Sequence, residues 1–288
     1  MTIGLKVVSL FDGISCGQLA LNSLGVKISE YFACEIKKEA ISVTMSNFPN
    51  TIQLGDVRNV DFKTRIGGGC NLLIGGSPCQ DLSQAHSERL GLKGNKSSLF
   101  WEYVRALNEL QPDYFLLENV EMPLEDYETI SKTLGCYPVN INSSLVSPQM
   151  RNRYYWTNIG DKDFNLFGFP TCSIPQPRDR KIYLQDILTS GFADRLKARC
   201  LLESDSRPLK NIDRMLHRYF STGFTTLVFK EKDNKRSARY LNQTELERCQ
   251  TLPDGYTRVL DRNKAAGVIG DAWTVEVIKH IFSFMEDK

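Results

Sequence analysis

The sequence predicts an α/β protein with a doubly wound, mostly parallel sheet. Short apolar runs alternate with segments of helical periodicity through the first half of the chain, and several of these runs end in glycine or an acidic residue. Strands that are covered by helices on both faces show such continuous apolar runs. The chain has 288 residues, 41% of them hydrophobic, which is enough for one large domain or for a large domain and a small one.

The first predicted unit is a strand, a tight loop and a helix. Residues 6–11 form a compact apolar run, residues 12–17 carry two glycines, and residues 18–24 have helical periodicity before Gly25. The glycines allow a ligand to approach the backbone, and the helix start offers free N–H groups to a carboxylate or a phosphate. The loop lacks the full G-x-G-x-x-G spacing, so the sequence does not favour a dinucleotide.

Carboxylates follow the next two predicted strands. Glu35 comes after the run 31–34, about 20 residues past the glycine loop, where an acidic side chain can accept both hydroxyls of a ribose. Asp56 falls at the end of the run 52–57, where it can accept the amino group of an adenine. Each carboxylate has an alternative interpretation as a helix N-cap or a turn residue. Their common position at strand ends favours a nucleoside pocket.

The apolar run 71–74 leads into Gly75-Gly76-Ser77-Pro78-Cys79-Gln80. This pattern predicts a buried parallel strand that breaks into a loop at its carboxyl end, the edge at which open α/β sheets bind ligands. We therefore expect Cys79 to face a ligand, although a lone cysteine is more often a small core residue. The polar stretch 81–96 has no clear periodicity and predicts an active-site lid.

A further carboxylate and two arginines complete the candidate chemistry. The run 113–117 ends at Glu118, and Arg151 and Arg153 are two residues apart, so in a strand both would point to one face. The alternative for the arginines is an edge of surface salt bridges. A cysteine, an acid and paired arginines beside a nucleoside pocket fit nucleophilic attack on an electron-poor ring that is protonated as it is attacked. Carbon 5 of cytosine becomes a nucleophile only after a thiolate adds to carbon 6, so these residues favour ring-carbon methylation of a flipped-out base.

The composition changes between Gly160 and Arg239, where proline, aromatic and basic residues dominate. The predicted domains are accordingly 1–159 for the α/β body, 160–238 for a small appended region and 239–288 for a segment that returns to the body. Residues 176–239 hold fifteen Lys and Arg against eight Asp and Glu, an excess of +7 in a chain of net charge +2. This excess indicates contact with a polyanion or, equally, a solvated charged face.

The end of the chain predicts two helices. Residues 244–249 have helical periodicity, and the run 270–282 predicts an amphipathic helix behind a glycine. The eight cysteines show no C-x-x-C pair and no metal-ligand spacing, which predicts reduced thiols, a cytoplasmic location and no metal. No apolar run approaches the roughly 20 residues needed to cross a bilayer, so we expect no membrane partner.

Six motifs in order resemble those of the cytosine-5 DNA methyltransferase family. They are Phe11-Asp12-Gly13-Ile14-Ser15-Cys16-Gly17, Ser77-Pro78-Cys79-Gln80, Glu118-Asn119-Val120, Gln149-x-Arg151-x-Arg153, Arg239-x-Leu241 with Glu245, Gln250 and Pro253, and Gly270-Asp271-Ala272-Trp273. Within the family the chain is most similar to the catalytic domains of animal de novo DNA methyltransferases. Its compact length instead suggests a bacterial or phage member.

The resemblance implies a methyltransferase fold that binds S-adenosylmethionine, with 160–238 as the target-recognition region. It implies Cys79 as the nucleophile, Glu118 as the acid at ring nitrogen 3, and Arg151 and Arg153 near the base and the reaction centre. The implied cofactor contacts are Phe11, Asp12, Gly13, Ile14, Cys16, Gly17, Glu35, Ile36, Asp56, Val57, Pro78, Asp271, Ala272 and Trp273. The implied DNA contacts are Gln80, Ser83, Arg178, Arg180 and Arg239.

Two positions depart from the family pattern: Asn242 stands where threonine is frequent, and Asp271 stands where asparagine is common. The expected partner is double-stranded DNA, together with a second copy in a homodimer and a cognate restriction endonuclease, in a bacterial or phage-infected cell. A transfer-RNA cytosine-5 methyltransferase and a catalytically inactive DNA-binding accessory subunit are the alternatives.

Overall fold

A seven-stranded sheet forms the centre of the protein in a computed structural model that describes residues 4–77, 99–166, 168–221, 223, 225–232 and 235–286. Its strands are β1 (Leu5–Leu10), β2 (Ile28–Cys34), β3 (Ile52–Gln53), β4 (Leu72–Gly76), β5 (Tyr114–Asn119), β6 (Val139–Asn142) and β7 (Asn152–Thr157). The strand order is β3-β2-β1-β4-β5-β7-β6. Strands β1 to β5 pair in parallel, and β7 pairs antiparallel with β5 and β6. The predicted doubly wound, mostly parallel α/β fold is confirmed.

Helices cover both faces of the sheet. In chain order they are α1 (Cys16–Ser23), α2 (Lys38–Asn47), α3 (Phe62–Ile66), α4 (Leu99–Leu110), α5 (Leu124–Leu134), α6 (Leu184–Ile187), α7 (Ile212–Ser221), α8 (Gln243–Cys249), α9 (Arg262–Asp271) and α10 (Val275–Phe282). Successive strand residues serve opposite faces, so Val7 belongs to the core that includes α1 and α10, whereas Val8 belongs to the core that includes α3, α4 and α5. Both side chains are fully buried, because a parallel sheet is covered on its two sides.

Two further antiparallel pairs lie almost entirely within residues 160–238, where the sequence predicts little regular structure, and only the last strand extends beyond them. They are β8 (Lys162–Phe164) with β9 (Pro170–Cys172) and β10 (Leu227–Lys232) with β11, which spans Lys235–Tyr240. These strands have only three to six residues, too few for a clear hydrophobic period. The domain boundaries stay a prediction.

The predicted helix over 270–282 is wrong in its start. Gly270 lies inside α9, the chain leaves helical geometry at Ala272, and α10 begins only at Val275. The glycine has a packing role, because a Cβ at Gly270 would come within 2.3 Å of the carbonyl carbon of Leu202. It therefore allows α9 to approach residues 202–206 closely and does not start the last helix.

The departure at Asn242 has a local explanation. Asn242 is the N-cap of α8, where its side chain accepts from the backbone N–H of Glu245, and the Glu245 carboxylate accepts from the N–H of Asn242. This is a capping box, and asparagine caps a helix as well as threonine does.

Residues 197 and 198, within the region 160–238, bind the backbone of residues 144–150 just before β7. Ala198 donates its N–H to the carbonyl of Pro148, and Met150 donates to the carbonyl of Ala198. One residue earlier, the Lys197 ammonium donates to three backbone carbonyls, those of Ser144, Ser147 and Ile182. Burial lowers the pKa of Lys197.

Within the described ranges, no helix is long and apolar enough to cross a membrane. The same part of the chain holds no group of three or more His, Cys, Asp or Glu that could bind a metal ion. Its seven cysteines form no disulfide.

Replacing Lys197 by methionine tests whether its three hydrogen bonds to backbone carbonyls stabilise the protein. The Lys197→Met variant keeps the length of the side chain but leaves three carbonyls without their donor, so the free energy of unfolding should fall by about 1–3 kcal/mol. Urea denaturation measures it. Lys210→Met at an exposed position is the matched control and should change stability by less than about 0.5 kcal/mol. Equal losses in the two variants would contradict an anchoring role for Lys197.

Candidate active site

The carboxyl ends of β1, β2, β4 and β5 meet at one edge of the sheet and carry the candidate residues. The register aligns Leu10 with Cys34 and with Gly75, and it aligns Gly76 with Glu118. The loop after β1, the Glu35 carboxylate after β2, and the chain that leads from β4 towards Cys79 therefore start side by side. Pro78, Cys79, Gln80, Ser83 and the predicted lid 81–96 lie outside the described residues.

Asp12 is the charged group of the loop after β1. Its carboxylate accepts from the Tyr31 hydroxyl at 2.8 Å and from the Ser15 hydroxyl at 2.6 Å. Burial raises the pKa of Asp12 from 3.8 to about 6, because these neutral donors offset only part of the lost hydration. Phe11 and Ser15 adopt left-handed backbone angles, with φ of 57° and 60°. The loop is therefore held in a tight, specific conformation around a carboxyl group that ionises reluctantly.

Glu35 holds this loop from the neighbouring strand. One carboxylate oxygen accepts from the N–H of Gly13 at 2.8 Å, and the other accepts from the N–H groups of Ile36 and Lys37. Ile36 itself leaves 66% of its surface exposed. The ribose contact of Glu35 remains a prediction. The structure shows that the Glu35 carboxylate binds backbone N–H groups and thereby fixes the glycine loop.

Asp56 makes the contacts of a helix N-cap, which is the alternative interpretation of this carboxylate. It is the N-cap of a short 3-10 helix and accepts from the N–H and the guanidinium of Arg58. The arginine lowers the pKa of Asp56. Val57, next in the chain, is buried. Contact of either residue with an adenine stays a prediction.

Glu118 is the second-to-last residue of β5, and both of its carboxylate oxygens have a hydrogen-bond donor. Arg153 Nε lies 2.9 Å from Oε1, and the indole Nε1 of Trp273 lies 3.1 Å from Oε2. The side chains of Arg153 and Glu118 are only 14% and 11% exposed, so the ion pair is not the surface salt bridge of the alternative interpretation. Beside it, Asn119 donates to the Ser77 hydroxyl at 3.0 Å, which ties β5 to the residue that precedes Pro78.

Arg151 does something different from Arg153. Arg151 precedes β7, is 6% exposed, and donates to the carbonyl oxygens of Leu201 and Gly270. Both guanidinium groups approach the sulfur of Cys200, at 3.3 Å from Arg151 and 3.8 Å from Arg153. The two arginines thus share a side of the strand, but Arg151 braces two other segments whereas Arg153 pairs with the acid.

Two fully buried amides connect these segments. Gln149 donates to the side-chain oxygen of Gln250 at 3.0 Å and accepts from the N–H of Leu201 at 2.7 Å. Gln250 donates to the carbonyl of Ala272 and accepts from the Thr274 hydroxyl. Gln250 therefore holds the peptide carbonyl before Trp273 and the side chain that follows it.

The sequence of this chain is similar to those of known methyltransferases. Residues 5–199 match the sequence profile of the family described as C-5 cytosine-specific DNA methylase. The chain belongs to this family. The Type II methyltransferase M1.ScrFI of Lactococcus lactis subsp. cremoris is 26% identical over 97% of this chain and 77% of its own length. The Type II methyltransferase M.NgoPII of Neisseria gonorrhoeae is 32% identical over 64% of this chain and 56% of its own.

A solved structure with the same fold is the Entamoeba histolytica methyltransferase EhMeth, with a TM-score of 0.73 at 14% identity over 98% of both chains. The family confirms the predicted enzyme class, DNA (cytosine-5-)-methyltransferase. The roles of single residues in this methylase remain predictions.

The C-terminal segment of the methylase lies beside the loop after β1. Cys16, the first residue of α1, lies beside the backbone of Trp273, and burial raises the pKa of its thiol to about 12. Asp271 forms an ion pair with Lys37 at 2.6 Å, and Lys37 follows Ile36 in the chain. This ion pair had no sequence signal, because its partners are 234 residues apart.

The residues around the first loop fit S-adenosylmethionine, which the family and the fold imply. No described residue would lie within 4 Å of a Cβ added at Gly13, so none of the described residues fills the space above the loop. The adjacent exposed Ile36 offers an apolar surface for a purine, and a cationic ligand would favour the ionised form of Asp12. Ile14 is buried and packs the loop onto the core. Gly17 is buried too, and a Cβ there would come within 2.3 Å of Ile74, so glycine allows the loop and α1 to approach β4 closely.

The arginines among the candidate DNA contacts differ in whether they form ion pairs within the protein. Arg178 is exposed. Arg180 pairs with Glu276 at 2.6 Å. Arg239 donates to the buried Glu245 at 2.7 Å and to the carbonyl of Ser190, so its guanidinium links β11 to α8. A DNA contact by these arginines stays a prediction.

The raised pKa of Asp12 makes stability depend on pH in a defined direction. The folded pKa of about 6 exceeds the unfolded value near 3.8, so the stabilisation by the protonated form is complete below pH 4 and is lost as the pH rises through 6. Asp12→Asn keeps the size of the side chain and cannot ionise. Relative to this variant, the wild type should lose about 2–3 kcal/mol of unfolding free energy between pH 4 and pH 7. Urea denaturation at the two pH values measures it, and a constant difference would contradict the assignment.

Proposed function

We propose that this methylase transfers a methyl group to carbon 5 of a flipped-out cytosine in double-stranded DNA, with Cys79 as the nucleophile. The observation that carries the proposal is the largely buried ion pair of Glu118 and Arg153, with 2.9 Å between Arg153 Nε and Glu118 Oε1. Glu118 is registered with Gly76 on β4, and Cys79 follows Gly76 by three residues. A ring bound at this edge can therefore meet a thiolate, an acid and a guanidinium together.

In the proposed reaction the Cys79 thiolate forms a bond to carbon 6, and the displaced electron pair moves through the ring to nitrogen 3, which takes the proton of Glu118. Arg153 donates to the ring carbonyl oxygen. S-Adenosylmethionine supplies the methyl group that carbon 5 then takes. Loss of the carbon 5 proton to a base restores the C5–C6 double bond and expels the Cys79 thiolate, and nitrogen 3 returns its proton to Glu118.

The proposed cofactor site lies around the first loop. Glu35 would hold the ribose, Asp56 and Val57 the adenine, and Asp12 the cationic part of the cofactor. The remaining proposed contacts are Phe11, Gly13, Ile14, Cys16, Gly17, Ile36, Pro78, Asp271, Ala272 and Trp273. The support is the space above Gly13 that no described residue fills, the exposed Ile36 and the half-buried Asp12.

The proposed DNA contacts are Gln80, Ser83, Arg178, Arg180 and Arg239, with residues 160–238 reading the target. The local charge excess of +7 over residues 176–239 supports this, because neutralised phosphates supply much of the affinity for DNA. A homodimer, a cognate restriction endonuclease and a cytoplasmic location also remain predictions. Transfer RNA as substrate and an inactive DNA-binding subunit remain the alternatives.

Covalent trapping on 5-fluorocytosine tests the proposal. Fluorine cannot leave as a cation, so duplex DNA with this base and S-adenosylmethionine should give an adduct that survives denaturation. Cys79→Ala should abolish the adduct and keep binding of S-adenosylhomocysteine in calorimetry. Cys172→Ala, at a half-buried cysteine, is the matched control and should still form the adduct. An adduct on fluorinated transfer RNA but not on DNA would favour the RNA alternative, and cofactor binding with no adduct would favour the inactive subunit.

A further inference from the structure

The acid of the proposed reaction is held by two donors from different parts of the chain. Arg153 on β7 reaches Oε1 of Glu118, and Trp273, between α9 and α10, reaches Oε2 at 3.1 Å. Glu118 is 8% exposed as a residue. Hydrogen bonds are strong in a buried, weakly polar environment, and a buried carboxylate oxygen without a donor would lower the stability of the fold.

The indole has little freedom to leave this position. The Gln250 side chain donates to the carbonyl of Ala272 at 3.0 Å, and the Gln250 backbone carbonyl accepts from the N–H of Val275 at 3.0 Å, so the backbone is fixed on both sides of Trp273. On the sheet side, a Cβ added at Gly76 would lie 2.9 Å from both Trp273 Nε1 and Glu118 Oε2. Only a glycine at the end of β4 leaves room for the contact.

Both partners of Glu118 are donors that cannot accept a hydrogen bond. A guanidinium and an indole N–H have no acceptor atom, so a proton on Glu118 cannot point towards either of them. It must occupy one of the remaining lone-pair directions, which Arg153 and Trp273 leave free. The two donors together therefore set the direction in which the carboxylic acid can give its proton.

We propose that Trp273 is a positioning residue for Glu118: its indole N–H orients the acid that protonates the cytosine ring. This role rests on the proposed function and adds to the cofactor contact proposed for the same residue. It gives the C-terminal segment a part in the proton transfer, through a contact that spans 155 residues of sequence.

A double-mutant cycle separates this role from cofactor packing. Trp273→Phe keeps an aromatic ring and removes the N–H, and it should lower kcat about ten-fold while the Kd for S-adenosylhomocysteine changes by less than about three-fold. In a Glu118→Gln background the same change should cost less than about two-fold, because the group on which it acts is gone. Equal losses in both backgrounds, or a loss confined to cofactor affinity, would overturn the proposal.

A spectroscopic measurement tests the contact without relying on catalysis. The chain has three tryptophans, Trp101, Trp156 and Trp273, hence three indole N–H signals in a nitrogen-15 NMR spectrum. The signal that is lost in Trp273→Phe should have a different chemical shift in Glu118→Gln than in the wild type, because the carboxylate oxygen that accepts from the indole is replaced. Trp101→Phe, at a half-exposed position on α4, identifies a second signal and serves as the control.

The two measurements distinguish failure of the contact from failure of the proposed function. A Trp273 signal with the same chemical shift in Glu118→Gln and in the wild type would show that the two side chains are not in contact and would overturn the proposal. An inactive wild type whose Trp273 signal still changes in Glu118→Gln would instead refute the proposed function and support the positioning contact.

Discussion

The hydrogen bond between the buried side chains of Gln149 and Gln250 is the contact on which the site depends. These amides join the strand that carries the arginines to α8, and they also bind Leu201 in the region 160–238 and Ala272 before Trp273. Both residues are fully buried, so a lost partner would leave an unsatisfied polar group. One interior network therefore fixes three segments that are distant in sequence.

The acid site follows from this network. Arg151 and Arg153 leave the same stretch of chain, but the first donates to Gly270 and Leu201 while the second pairs with Glu118. Gln250 fixes the backbone around Trp273, and the indole of Trp273 donates to the other carboxylate oxygen of Glu118. The acid is thus oriented by groups whose own positions are determined by backbone contacts, as preorganised catalysis requires.

Asp12 and Glu118 show how one sheet edge holds two carboxyl groups in different surroundings. Asp12 lies half-buried among hydroxyl donors, and desolvation of its carboxylate raises its pKa to about 6. Glu118 lies against a guanidinium and an indole. Neutral donors only partly replace hydration, whereas a cation compensates a buried charge directly. The first environment suits a group that gains from a cationic ligand, and the second suits an acid that must keep a fixed direction.

The sequence by itself determined the α/β class, the parallel strands and the order of the motifs, because apolar runs and turn residues act over a few neighbours. It placed Glu35, Asp56 and Glu118 at strand ends, and each lies at or just beyond such an end. Only the tertiary structure decided that Gly270 belongs to α9, that Arg151 braces the backbone, and that Lys37 pairs with Asp271. It also brought Trp273 to Glu118. Those contacts join residues far apart in the chain, and no local pattern of side chains encodes which distant partner each donor will meet.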